Sequence, residues 1–245
     1  MDPCKVSLKL PASARHQVFF SETGIRIIES FAGIEKSAEN TKYLSDCKLL
    51  LHELFTNAVN HSGSSEVEFQ FSFEEDLFSI EMVFEGAGFT IKPVKEDSTP
   101  GTVKHKPPYK GLEGEKFILH LDADFEVVCE VTGEHELTLK NRERTSPKAE
   151  DRFSIPEHFG LFIITMLGHD VHYKRDKEGK NFFSLKKSLP REASAYFSNP
   201  SISFSYSDFG INPTCVFTMF PSRSITKLVG IDSIFPNSPT VFSSP

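Results

Sequence analysis

Residues 49–63 constrain the fold of this chain more than any other segment. The segment contains no proline, and its only glycine is the last residue, Gly63. This pattern predicts the final turns of an α-helix with a glycine stop. Side chains four residues apart stack on one face of a helix, so Glu53, Asn57 and His61 form a single polar stripe.

Apolar side chains flank this stripe on both sides. They are Leu50, Leu54 and Ala58 on one side, and Leu51, Phe55 and Val59 on the other. A helix with so much apolar surface is expected to be largely buried. Burying a carboxylate, an amide and an imidazole costs free energy unless they bind something, which makes the stripe a candidate site. The alternative is the ordinary solvated face of a helix.

Composition and net charge argue against several kinds of partner and site. The net charge is −7 with a sequence pI of about 5.7, and no block of lysines or arginines is present. This argues against nucleic acid or an anionic membrane as the main partner. The four cysteines are scattered without a CxxC pair, as expected for reduced thiols. No apolar stretch approaches the length of a membrane span, so we expect a soluble cytoplasmic protein.

Hydrophobic periodicity predicts an α+β succession of elements. The predicted helices cover residues 13–31, 41–60 and 159–167, and the predicted strands cover 6–10, 66–73, 77–83, 117–121, 125–131, 135–139, 171–173 and 181–185. Residues 93–115 contain four prolines and are predicted to be a loop. After about residue 190, Ser, Pro and Phe dominate, which is typical of a poorly ordered tail. The alternative is a segment that docks its phenylalanines on the domain or on a partner.

The order of these elements, together with two sequence motifs, resembles the GHKL ATPases, which include gyrase, the heat-shock chaperone, histidine kinases and mismatch-repair ATPases. The motifs are Glu-Leu-Phe-Thr-Asn-Ala-Val-Asn-His-Ser at 53–62 and Gly-Leu-Phe-Ile-Ile at 160–164. With Leu-Pro-Ala-Ser at 10–13, the chain is most similar to the bacterial anti-sigma-factor serine/threonine kinases. The resemblance covers about residues 5–92 and 153–188.

The resemblance implies a Bergerat-type ATP-binding fold. This is an α/β fold of the α+β two-layer sandwich type, with a mixed, mostly antiparallel sheet packed on one helical layer. The expected organisation is a histidine kinase-like ATPase domain over residues 1–190, with a lid insertion at 93–152, followed by a tail at 191–245. The insertion is either a platform for a partner or a lid that occupies the pocket itself.

The resemblance also assigns roles to the polar stripe. It implies that Asn57 is a ligand of the Mg²⁺ that accompanies ATP, and that Glu53 accepts the proton of the attacking hydroxyl. It implies that His61 either contacts the nucleotide or only closes the end of the helix.

Two glycine boxes complete the expected site. Gly86 and Gly88 let the backbone approach the base, but Phe84 stands where the family has an aspartate that accepts a hydrogen bond from adenine. Glu85 takes that role only if the strand bulges by one residue, since it otherwise points to the opposite face.

In the second box, the backbone amides of Gly160 and Leu161 are expected to face the phosphates at a helix N-terminus. His158 replaces the earlier glycine of this box.

Two functions are therefore expected. The first is an ATP-binding regulatory protein that phosphorylates a serine or threonine of a protein partner and sequesters a regulatory partner. An anti-anti-sigma-like substrate or a sigma factor is the implied partner, and a homodimer is the implied assembly. The alternative is a catalytically degenerate GHKL module that acts by binding protein only, which Phe84, His158 and the insertion favour.

Overall fold

The computed structural model describes residues 4–34, 37–74, 76–94, 101, 103–144, 159–190 and 216–220. In these ranges the helices are α1 Gln17–Ala32, α2 Ala38–His61 and α3 Phe159–Leu167, with a short 3-10 helix at Ala14–His16. The strands are β1 Cys4–Pro11, β2 Glu66–Phe73, β3 Leu77–Phe84, β4 Lys116–Leu121, β5 Phe125–Gly133, β6 Glu136–Glu143, β7 His169–Arg175, β8 Asn181–Ser188 and β9 Val216–Phe220. The predicted helices and the first eight strands are confirmed, with ends that differ by a few residues.

All nine described strands form one sheet in the order β4-β5-β6-β7-β8-β3-β2-β1-β9. Each neighbouring pair is antiparallel, so the fold is α+β and the prediction of a mixed sheet is wrong for the described strands. Tight hairpins join β2 to β3, β4 to β5, β5 to β6 and β7 to β8, and a hairpin turn can only join antiparallel strands.

One face of the sheet carries the helices and the other does not. In β2 the side chains of Val67, Phe69, Phe71 and Phe73 are buried, while the residues between them are exposed or half-buried. Charged side chains lie on this open face of the sheet. Lys9 of β1 forms a salt bridge with Glu66 of β2, with 2.8 Å between Nζ and Oε2. This period of two separates a core face from a polar face in each of these strands.

Helix α2 packs on the core face through an aromatic cluster. Phe55 of α2 stacks on Phe20 of α1 with 5.1 Å between ring centroids, and Phe20 lies 4.1 Å from the ring of Phe69 in β2. All three rings are fully buried. This contact joins the two long helices to β2 of the sheet and sets the rotation of α2.

The ends of α2 are explained by local signals. Ser37 caps the first turn by accepting a hydrogen bond from the backbone N–H of Asn40 at 3.2 Å. Gly63 follows the last turn with φ of +67°, the left-handed conformation expected of a glycine stop. The helix that the sequence predicted is confirmed, and it begins three residues earlier than expected.

The described part of the expected lid insertion contributes to the main sheet. Strands β4, β5 and β6 lie within residues 93–152 and form one end of the sheet, beside β7. Residues 103–115 run across this end, where the buried ring of Tyr109 packs. The remainder of the expected insertion, including residues 145–152, lies outside the described residues.

The described segment of the C-terminal region is a strand. Residues 216–220 pair with the outer edge of β1, with Lys5 opposite Phe220 and Lys9 opposite Val216. The backbone of this segment therefore lies on the domain, whereas the predicted docking of its phenylalanine side chains lies outside what the structure describes. The other residues of the 191–245 tail lie outside the described residues.

No helix in the described part of the chain is long and apolar enough to cross a membrane.

The aromatic cluster yields a test of the fold. Phe20→Ala should lower the free energy of unfolding by about 3–5 kcal/mol, because it removes a ring that contacts both α2 and the sheet. The measurement is urea denaturation followed by circular dichroism. Val18→Ala, two residues earlier in α1, is the control: Val18 is 68% exposed and should cost less than about 0.5 kcal/mol. Equal losses in the two variants would contradict the packing described.

Candidate functional site

The polar stripe of α2 divides into two parts. Glu53 and Asn57 are half-buried, whereas His61 is exposed at the end of the helix. The Nδ2 atom of Asn57 is buried and has no hydrogen-bond partner among the described residues. A buried amide nitrogen without a partner is costly, so this atom marks a place where a ligand or a change of partner would be stabilising.

The first turn of α3 lies directly against Glu53 and Asn57. A Cβ atom placed on Gly160 would be 2.7 Å from Oε2 of Glu53, and 3.5 and 3.6 Å from Oδ1 and Nδ2 of Asn57. A side chain at this position would require the carboxylate end of Glu53 to move. The structure therefore brings together three of the residues that the sequence predicted for the site, from segments about 100 residues apart.

Leu161 has a different role from that of Gly160. Its side chain is 6% exposed and belongs to the hydrophobic core, so only its backbone amide is available to a ligand. The amides of the first turn of α3 lack helical partners and carry the positive end of the helix dipole. His158, which precedes this turn, lies outside the described residues.

The electrostatic environment of His61 includes the positive charge of Lys92. Partial desolvation, followed by the positive charge of Lys92, lowers the pKa of the His61 imidazole. The imidazole is therefore less readily protonated at neutral pH than a free histidine.

Gly86 fits tightly against the end of α2. Its φ is +138°, and a Cβ atom placed on it would lie 2.0 Å from the carbonyl oxygen of Ser62, which caps α2. Gly88 has φ of +83° and is enclosed as well: a Cβ atom there would lie 2.7 Å from Pro107, Tyr173 and Arg175 atoms. The box holds the end of β3 against the end of α2. The predicted approach of this backbone to a nucleotide base stays a prediction.

Glu85 does not join Glu53 and Asn57. It follows Phe84, whose partner in the sheet is the buried Val67, so Phe84 faces the helices and Glu85 is exposed. A hydrogen bond to Glu66 raises the pKa of Lys9 on the open face, and the charge of Glu85 adds a smaller contribution in the same direction. Glu85 is exposed, and its charge is felt by Lys9 of the open face.

A buried polar network lies where the glycine box meets β7 and β8. The fully buried Asn181 accepts a hydrogen bond from the Tyr173 hydroxyl at 2.7 Å and donates from Nδ2 to the carbonyls of Phe84 and Gly86 at 3.3 and 3.4 Å. Arg175 donates to the Gly86 carbonyl at 2.9 Å. Sequence reasoning missed this network, because a single Asn or Arg in a short strand gives no signal of its partners.

Residues from the expected lid complete this end. The Tyr109 hydroxyl donates to the carbonyl of Phe89 at 2.6 Å, and burial raises the pKa of Tyr109. The Phe89 ring lies 5.6 Å from that of Tyr173. The side of the first glycine box at Gly88 is thus packed by the protein's own side chains, whereas Gly86 is exposed.

The site offers few protein ligands to a metal. No group of three or more His, Cys, Asp and Glu side chains placed to hold a metal ion occurs among the described residues. Magnesium bound together with phosphates needs only one or two protein oxygens, because waters and phosphate oxygens complete its octahedron. Asn57, with Glu53 one turn away, satisfies this lower demand.

No known protein family matches the chain, and no curated protein matches it either. The resemblance to GHKL ATPases therefore remains a prediction that depends on the motifs at residues 53–62 and 160–164.

The close approach of Gly86 to α2 gives a second test. Gly86→Ala should destabilise the protein at least about twice as much as Gly63→Ala, which carries only the backbone cost of about 1–2 kcal/mol for a left-handed conformation. Gly63 is the matched control, because its φ is also positive and nothing lies within 4 Å of an added Cβ. The measurement is the midpoint of urea denaturation. Similar midpoints in the two variants would show that the Gly86–Ser62 contact is not tight.

Proposed function

We propose that this protein is a magnesium-nucleotide-binding regulatory protein of the Bergerat fold, with serine/threonine kinase activity toward a protein partner. The observation that carries the proposal is the juxtaposition of Glu53, Asn57 and the first turn of α3 at Gly160. A carboxylate, an amide and a helix N-terminus at one place supply the three functions that phosphoryl transfer needs from a protein: proton acceptance, metal positioning and phosphate binding.

Asn57 fits the role of metal ligand. Its side chain is half-buried, and its Nδ2 atom has no partner in the described part of the chain. Its carboxamide oxygen would hold Mg²⁺, and its nitrogen would then be free to donate to a phosphate oxygen or to a water of the metal.

Glu53 fits the role of proton acceptor. It precedes Asn57 by one helical turn and borders Gly160. In the proposed reaction Glu53 takes the proton of a serine or threonine hydroxyl as that oxygen bonds to phosphorus and the bond to the leaving nucleoside diphosphate breaks. Bound Mg-ATP supplies the phosphoryl group.

The partner in this proposal is a protein of the kind that an anti-sigma factor binds. The chain would act in the cytoplasm, phosphorylate an anti-anti-sigma-like substrate or sequester a sigma factor, and form a homodimer. These parts of the proposal rest on the resemblance of residues 53–62 and 160–164 to the kinase branch.

Thermal unfolding with and without Mg-ATP tests the proposal. Mg-ATP at about 100 times its dissociation constant should stabilise the chain by about 2.7 kcal/mol, because it binds only the folded state. Differential scanning calorimetry measures the shift of Tm. An unmoved Tm at millimolar Mg-ATP would overturn the proposal.

Two variants separate binding from catalysis. Asn57→Ala should remove the magnesium-dependent part of the shift, because it removes the metal ligand. Glu53→Gln keeps the shape of the side chain but cannot accept the proton, so it should retain binding and lose phosphotransfer by about 100-fold or more. The measurement is transfer of labelled phosphate to serine-containing protein. Undiminished transfer by Glu53→Gln would contradict its assignment as the base.

A second function, protein binding without catalysis, is favoured by one feature. Phe84 stands where the GHKL family has a hydrogen-bond acceptor, and Gly88 of the glycine box lies against Tyr173, Arg175 and Pro107. In this case the domain would bind its partner without nucleotide. A folded chain whose Tm does not respond to Mg-ATP would support this second function over the first.

A further inference from the structure

Strand β1 would be an edge strand of the described sheet if β9 were not paired with it. It pairs with β2 along all eight of its residues, from Cys4 opposite Phe73 to Pro11 opposite Glu66, without a shift of register. A regular edge strand presents a row of N–H and C=O groups without partners. This row is the template on which another extended segment can pair.

The opposite edge of the sheet is protected in a different way. Strand β4 has six residues and a shift of register between Ile118 and His120. The Ile118 carbonyl also accepts a hydrogen bond from the backbone N–H of Val94 at 2.8 Å. A short strand, a bulge and a covering loop each make an edge a poorer template. In the described part of the chain, the outer edge of β1 is covered by β9 alone.

Strand β9 is held on the described sheet by one strand pairing. It has five residues, which pair with β1 from Val216 opposite Lys9 to Phe220 opposite Lys5. Residues 189–215 separate it in sequence from β8, which lies four strand spacings away, or about 19 Å. A short strand with one neighbour and no tight hairpin opens at a lower free energy than the strands inside the sheet. β9 can therefore leave β1 while the rest of the domain stays folded.

The open face of β1 carries two lysines. Lys5 and Lys9 are exposed, whereas the apolar residues that alternate with them are buried. The β9 residues opposite these lysines are Phe220 and Val216, and neither carries a charge. Opposite charges that lie directly across a strand pair stabilise the pairing. An extended segment with carboxylates at these two positions would therefore gain two ion pairs that β9 lacks.

A second β1 strand fits this edge poorly. Antiparallel pairing of two copies, symmetric about Ser7, would place Lys5 of each copy opposite Lys9 of the other. Like charges that lie directly opposite destabilise a strand pair. The charges of β1 therefore favour an acidic segment over a second copy of β1.

We propose that the outer edge of β1 is a docking site for an extended acidic segment of a protein partner, and that β9 covers this edge until the partner binds. The segment pairs with residues 5–9 as β9 does, and its carboxylates lie opposite Lys5 and Lys9. β9 is then a competitor for the partner within the same chain. The nucleotide site proposed above is formed by α2 and α3, so failure of either proposal leaves the other standing.

Fluorescence anisotropy with labelled peptides tests the docking site on the full chain. Both peptides are based on residues 214–222: one carries Val216→Glu with Phe220→Glu, and the matched control carries Val216→Lys with Phe220→Lys. We expect the glutamate peptide to bind at least about tenfold more tightly than the lysine peptide. Equal affinities would overturn the proposal, because the charges of β1 would then not select the segment.

A reversible lock on β9 tests the competition. Ser7 and Thr218 are directly opposite each other. Opposite Cα atoms of an antiparallel pair lie about 4.5–5.5 Å apart, which a disulfide can span. The full chain carries Ser7→Cys and Thr218→Cys, with Cys4→Ser and Cys215→Ser to prevent other pairings. Its oxidised form should bind the glutamate peptide at least about tenfold more weakly than its reduced form, which is the matched control. The same affinity in both forms would contradict the proposal.

Weakening β9 should have the opposite effect. Successive residues of a strand direct their N–H groups alternately toward and away from a neighbour, so Phe217→Pro with Thr218→Pro removes a donor to β1. This full-length variant, shown to be folded by circular dichroism, should bind the glutamate peptide at least about tenfold more tightly than the unaltered chain. Unchanged affinity, or no binding of the peptide to this variant, would refute the proposal.

Light scattering on the same proline variant distinguishes a second copy from a partner segment. We expect its oligomeric state to match that of the unaltered chain in the absence of peptide. A dimer formed by the variant and not by the unaltered chain would show that a second copy takes the freed edge. That result would replace the acidic partner segment with self-association and overturn the proposal.

Discussion

Helix α2 can hold polar groups in the interior because the rest of its circumference is anchored by apolar contacts. Phe55 stacks on Phe20, and Phe20 contacts Phe69 of the sheet, so the rotation of the helix is set by three buried rings. That rotation directs Glu53 and Asn57 toward α3 instead of toward solvent. The burial of large aromatic side chains supplies the free energy against which a half-buried carboxylate and an amide can be tolerated.

The two ends of the candidate site differ in how far their polar groups are satisfied. Beside the glycine box, Asn181 uses both of its polar side-chain atoms, and Arg175 pairs with a carbonyl. Beside α3, the amide nitrogen of Asn57 has no partner among the described residues. Buried polar groups are normally paired, so an unpaired one is the more informative signal of a ligand. This difference supports the proposal that a metal and phosphate bind beside α3.

Much of the fold was predictable because its elements carry strong local signals. The alternation of apolar and polar residues in β2 and the glycine after α2 gave correct strands and helix ends. The prediction of a mixed sheet was wrong for the described strands. Whether two strands run parallel or antiparallel depends on which strands become neighbours, and the sequence of a single segment does not determine its neighbours. β9 was not predicted as a strand for a related reason: residues 216–220 pair with β1, far away in sequence.

The sequence by itself determined the polar stripe, since the spacing of Glu53, Asn57 and His61 follows from the period of an α-helix. Tertiary structure decided which members of the stripe meet a partner. Gly160 approaches Glu53 and Asn57 but not His61, because α3 crosses α2 one and two turns before its end. Tertiary structure also decided that Glu85 points away from the core face of the sheet, since the register of β3 on β2 places Phe84 on the core face. Local spacing sets which side chains share a face, whereas long-range packing and strand register set what that face contacts.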